Sequence, residues 1–149
     1  MKKYQHIMIA CDLVNQGDNS VIEAVLPLPK DHECKVSLLH VLELAYSVAP
    51  PSGDFLLAQC MEEMKVEAIK QLAVIGEKSG VPKENQHVVF GLPKNMIIAE
   101  AEKFNVDLLV LGHHRRQALQ QFFLGSTAEA VLHKAKCDTF IVQISNNND

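Results

Sequence analysis

The residues best placed to do chemistry lie between Gly112 and Thr127. A glycine follows the apolar run Leu108-Leu109-Val110-Leu111, twelve residues intervene, and Gly125-Ser126-Thr127 opens a stretch of helical pattern. Amide donors at a helix start, joined by two hydroxyls, make a natural phosphate seat. A second reading fits the same residues: Ser126 and Glu129 stand at capping-box spacing, with the hydroxyl serving the backbone and the carboxylate reaching back. Arg115 and Arg116 lie in the intervening segment with no acid beside them. They would offset the repulsion between Glu129 and a bound anion.

Asp12 closes the apolar run Ile7 to Cys11 and should sit at the carboxyl end of a strand. A phosphoryl acceptor of the haloacid dehalogenase kind needs a second acid two residues on, where Val14 stands. A receiver domain needs an acceptor Asp at the end of its third strand, where Gly91 stands. Neither GxxxxGK[ST] nor a GxGxxG after the first strand occurs, so P-loop and dinucleotide schemes are excluded. His113 and His114 are adjacent, but no further ligands converge with them in the sequence, so no metal site is expected. His40 and His133 read as ordinary strand and helix residues. Ser126 has no nucleophile elbow around it, so no catalytic residue is assigned.

The elements that must position these residues follow from periodicity. Short, nearly continuous apolar runs predict strands over Gln5–Cys11, Lys35–Val41, His87–Phe90, Asp107–Leu111 and Asp138–Ile144, with Gly112 ending the fourth. Ser20 should cap a helix that Pro27 and Pro29 shorten. Leu57, Met61, Met64, Ala68, Leu72 and Ile75 recur at steps of three and four, predicting a long helix from Phe55 to Lys78 with both methionines as core filler. Pro50, Pro51 and Gly53 mark Ala45 to Asp54 as a loop, and Pro93 should begin a helix carrying Met96, Ile97, Ala101 and Phe104. Strand and helix alternate throughout, which implies α/β architecture: a five-stranded parallel sheet with helices on both faces. Ligands of such sheets bind beyond the carboxyl strand ends, where strand order reverses.

With 149 residues, one domain over residues 1–149 is expected. Fourteen Lys and Arg against eighteen Asp and Glu give a net charge of −4, which argues against a general nucleic-acid binder or a surface drawn to anionic lipid. Cys11, Cys34, Cys60 and Cys137 form no CxxC pair and read as reduced thiols, mostly buried. The first apolar stretch is too short for a signal-peptide core, and no run approaches a membrane span, so a cytoplasmic protein is expected.

Four blocks in order carry a resemblance to the universal stress protein family. HIMIACD (His6 to Asp12), KVSLLHV (Lys35 to Val41), GLPKNMIIAEAEKFNVDLLVLGHH (Gly91 to His114) and GSTAEAVLHKAKCDTFIV (Gly125 to Val142) are similar to its strand and motif segments. The nucleotide-binding branch carries GxxGxxxxxxxxxG[ST]; here Gly112, Gly125 and Ser126 keep the spacing, and Arg115 replaces the second glycine. A glycine there could take positive φ and bring backbone close to phosphate, which a side chain hinders. GHH resembles the other branch, whose founding members lack nucleotide binding, whereas GST is usually lost in that branch.

The resemblance implies a Rossmann-like sheet of the adenine nucleotide alpha hydrolase type and a stress-response role with little catalysis, at most slow ATP hydrolysis. It further implies an ATP or AMP site in which Asp12 and Val41 meet the adenosine moiety. Gly112, His113, Arg115, Gly125, Ser126 and Thr127 would surround the ribose and phosphates. A homodimer through the last strand is implied as well, and the apolar Phe140, Ile141, Val142 and Ile144 suit an edge that pairs. The alternative is a dimeric interaction module of the same fold that binds no nucleotide.

Overall fold

The computed structural model describes residues 2–13, 20–44, 54–114 and 124–144. Strands β1 (Tyr4–Ala10), β2 (Lys30–Leu42), β3 (Gln86–Phe90), β4 (Leu108–His114) and β5 (Asp138–Ile144) form one sheet in the order β3-β2-β1-β4-β5. Every neighbouring pair is parallel. The helices are α1 (Ser20–Val25), α2 (Asp54–Ser79), α3 (Pro93–Lys103) and α4 (Ser126–Lys134). A 3-10 turn at Lys83–Asn85 leads into β3.

Because successive strand residues face opposite sides, each central strand feeds two cores. Ile7 and Ile9 of β1, Leu38 of β2, and Leu108 and Val110 of β4 pack with Val25 of α1 and Leu72 of α2. Met8, Leu39, Leu109 and Leu111 pack on the other face with Ile97 and Ala101 of α3 and Val131 of α4. This two-sided burial explains why the strands read as continuous apolar runs.

Several boundaries differ from the sequence expectation. Gly112 does not end the fourth strand: β4 continues through His114, because Gly112, His113 and His114 keep register with Val142, Gln143 and Ile144 of β5. β2 starts at Lys30, well before Lys35, and the added pairing is admitted by an irregularity between Tyr4 and His6 of β1. Ser126 is the first residue of α4, with Gly125 as its cap and no side-chain cap bond, so the capping box does not form. Met64 is exposed, as are Phe55, Leu56, Val66 and Ile69. The buried hydrophobics of α2, Ala68 and Leu72, both lie in its carboxyl-terminal half, and from Phe55 to Glu67 its side chains are exposed or half-buried. The Ala45–Asp54 loop lies outside the described residues up to position 53, and Asp54 begins α2.

Pro93 takes the first turn of α3 as expected. α1 stops at Val25, ahead of Pro27. β5 is one sheet edge and β3 the other.

Candidate ligand site at the ends of β1 and β4

From β1 the chain adds β2 and β3 on one side, then returns to place β4 and β5 on the other, so strand order reverses between β1 and β4. The carboxyl ends of those two strands frame a small cavity of about 80 Å³, with Cys11, Asp12, Val21, Gly112, His114 and Ile144 among its walls. Asp12 stands just beyond β1 with its side chain exposed, and its Oδ2 lies 3.9 Å from Nε2 of His114. The turn after β1 is held from β2: the Cys11 amide donates to the Leu39 carbonyl at 2.7 Å, and His40 Nδ1 lies 2.8 Å from the Cys11 carbonyl as its donor.

Alternation along β4 sends Gly112 and His114 to the α1 face and His113 to the other. A Cβ on Gly112 would stand 2.6 Å from Ile144 Cδ1 and 2.9 Å from Val21 Cγ2, so this glycine lets β5 and α1 close over the strand end. Gly125 holds φ 93 and ψ 145, a conformation open essentially to glycine alone. A Cβ there would lie 3.8 Å from His113 Nδ1, so the end of β4 and the start of α4 come together. Ser126 is exposed and Thr127 half-buried in the first turn of α4. The Glu129 amide already bonds the Gly125 carbonyl at 3.0 Å.

One expected site residue stands apart from this group, and another falls outside the described residues. Val41 pairs with Val89 of β3 and packs on the α3 and α4 side of the core, away from the cavity walls. Arg115 lies outside the described residues, as does Arg116. Two residues that sequence reasoning treated as ordinary, His40 and His114, instead hold the Cys11 carbonyl and face Asp12. The signal available for His114 was its two-residue step from Gly112, legible only once the strand is known to continue. Burial pushes the Cys11 thiol up to about 12, so this wall residue behaves as an apolar group and not as a nucleophile. Among the described residues, no group of three or more His, Cys, Asp or Glu side chains could hold a metal ion.

Comparison with known proteins places these observations in a family. The profile of the universal stress protein family matches residues 3–143. Universal stress protein A homolog 1 of Coxiella burnetii is 34% identical over 142 residues, covering 93% of this chain and 96% of that protein. Among solved structures, universal stress protein UspA from Lactobacillus plantarum superposes with a TM-score of 0.72 at 21% identity, over 95% of this chain and 99% of that one. A universal stress protein crystallised in complex with cAMP superposes with a TM-score of 0.59 at 19% identity, over 95% and 98%. At those identities the two structures speak for the fold.

Proposed function

Since the chain belongs to the universal stress protein family, we propose that it is a stress-response regulator that holds an adenine nucleotide, ATP or AMP, where β1 and β4 end and α4 begins. The approach of His113 to Gly125 carries this reading. It brings the two ends of the Gly112 to Ser126 spacing together at the topological switch point. Asp12 would meet the ribose or adenine, Val41 would reach the adenine through its backbone, and Gly112, His113, Gly125, Ser126 and Thr127 would surround the phosphates, with Arg115 supplying charge. The related protein crystallised with cAMP shares the fold and supports an adenine ligand here.

A specific observation favours the competing reading of an interaction module without nucleotide. The cavity of about 80 Å³ is well below the roughly 300 Å³ at which ligand pockets begin, and Gly112 is already explained by packing. A nucleotide would therefore rest across the strand ends with only one group in the cavity. Titration calorimetry with ATP and AMP on the wild type and on Arg115→Gly separates the readings. If Arg115 grips phosphate, the variant loses about 1.5–3 kcal/mol of affinity; if it obstructs, binding tightens. No heat from either protein at millimolar ligand would leave the interaction module.

The proposal includes a homodimer through β5, an edge strand whose Phe140 is exposed and whose Ile141 and Val142 are half-buried. Light scattering should give twice 16.5 kDa, and a value of 16.5 kDa at micromolar concentration would refute it. Phosphate release above a protein-free blank would add slow ATP hydrolysis to the role.

A further inference from the structure

We infer that the edge of β3 is a docking groove for an acidic, extended segment of a partner protein, which pairs with β3 as a sixth strand. This surface lies at the opposite edge from β5 and does not depend on nucleotide. Three observations carry it.

The first is backbone geometry. The Gly91 amide donates to the Leu42 carbonyl of β2, and β3 amides alternate sides, so Val89 and His87 also turn towards β2. Val88 and Phe90 therefore turn both N–H and C=O to the outer edge. The Gln86 amide confirms the phase, since it bonds the Lys83 carbonyl on that outer side. Among the described residues nothing pairs with β3 there.

The second is shape. A groove of about 510 Å³ runs along this edge, walled by Ile69 and Ala73 of α2 on one side and by Phe104, just after α3, on the other, with β3 at its floor. Phe104 is fixed by stacking on His87, with ring centroids 4.4 Å apart. A strand added in the plane of the sheet would cover the exposed Ile69 with one face and approach Phe104 with the other.

The third is charge. Lys65, Lys70, Lys83 and Lys103 line the groove, and among the described residues that line it the carboxylate is that of Glu100, 3.7 Å from Lys103, although the chain as a whole carries −4. Lysines beside an edge keep two copies of a chain from joining there, and the same charges attract a strand rich in Asp or Glu. A free phosphate or a nucleic acid would leave the outward carbonyls of Val88 and Phe90 without donors. Backbone of another chain satisfies donors and acceptors alike.

The probe is a fluorescent peptide of about seven residues in which glutamate alternates with valine, long enough to pair the five residues of β3. Anisotropy should show binding that weakens with salt. A peptide with lysine in place of glutamate should not bind. Lys65→Glu combined with Lys70→Glu, two exposed positions, should weaken binding about tenfold. N-methylation of alternate peptide nitrogens keeps the charge, removes the donors and should abolish binding. Hydrogen exchange at the Val88 and Phe90 amides should slow in the complex. Equal affinity for the lysine peptide, retained affinity after N-methylation, or unchanged exchange at those two amides would each overturn the inference.

Discussion

His6 Nε2 accepts a hydrogen bond from the Ser37 hydroxyl at 2.6 Å, while its Nδ1 donates to the Phe104 carbonyl at 3.0 Å. The Phe104 carbonyl can only accept, which places a proton on Nδ1, and burial favours the neutral ring, in which Nε2 is the acceptor. Asp107 accepts the amides of Gln5 and His6 beside it. The network ties β1, β2 and the α3–β4 connection at the amino ends of the strands, opposite the candidate ligand site. Burial pushes the His6 pKa below its ordinary value, ahead of the opposing influence of the Phe104 bond. Burial does the same to His87.

A lowered histidine pKa means that the unfolded chain binds more protons than the folded one in the window between the folded value and the ordinary 6.5. Stability should therefore be full above that ordinary value and fall as pH drops through the window. Urea unfolding at pH 7.5 and 5.5 should show a lower midpoint at the acid pH. His6→Leu should lose about 1–3 kcal/mol at neutral pH, because the Ser37 hydroxyl is left buried without its partner, and should flatten the pH slope.

Gly112→Ala should destabilise the fold by about 1–3 kcal/mol, since the new methyl meets Ile144 and Val21 closer than contact distance. The cost should appear in denaturant unfolding without any nucleotide present. A neutral result would mean that Ile144 and Val21 can shift to admit the methyl.

Gly125→Ala should cost a similar amount, about 1–3 kcal/mol, for a different reason: its backbone conformation excludes a side chain, while the space around it is open. Gly125→Asn should recover little, because φ 93 with an extended ψ lies outside the left-handed region that asparagine tolerates. Equal stability of the alanine variant and the wild type would show that the α4 start can rearrange.

Thiol labelling of the native protein should modify exposed Cys60 first and Cys11 last, since burial holds the Cys11 thiol at about 12. In urea all four cysteines should react together. Rapid native labelling at Cys11 would show that the β1 end opens readily.

Sequence periodicity reveals the sheet because the five strands are apolar enough to announce themselves, and β5 matches its expected limits at both ends. It misses the extension of β4 because Gly112-His113-His114 looks like a turn, and only pairing with β5 keeps those residues extended. It places Met64 in the core because periodicity reports the face of a helix, not how deeply each turn of that face is buried. Of the candidate site's geometry, the placement of Asp12 and Gly112 at neighbouring strand ends was legible, because each follows an apolar run in the sequence. The Asp12 to His114 approach and the His40 bond to Cys11 were not, because each joins strands distant in sequence.

The approach of His113 to Gly125 also bears on how this chain can change over evolutionary time. Its two anchors belong to β4 and to the start of α4, elements that share one core, so the two ends of the connection are held close to one another. Doubling its length would add only about 0.6 kcal/mol of closure entropy. The entropic cost of lengthening that connection is therefore small beside the stability of a domain.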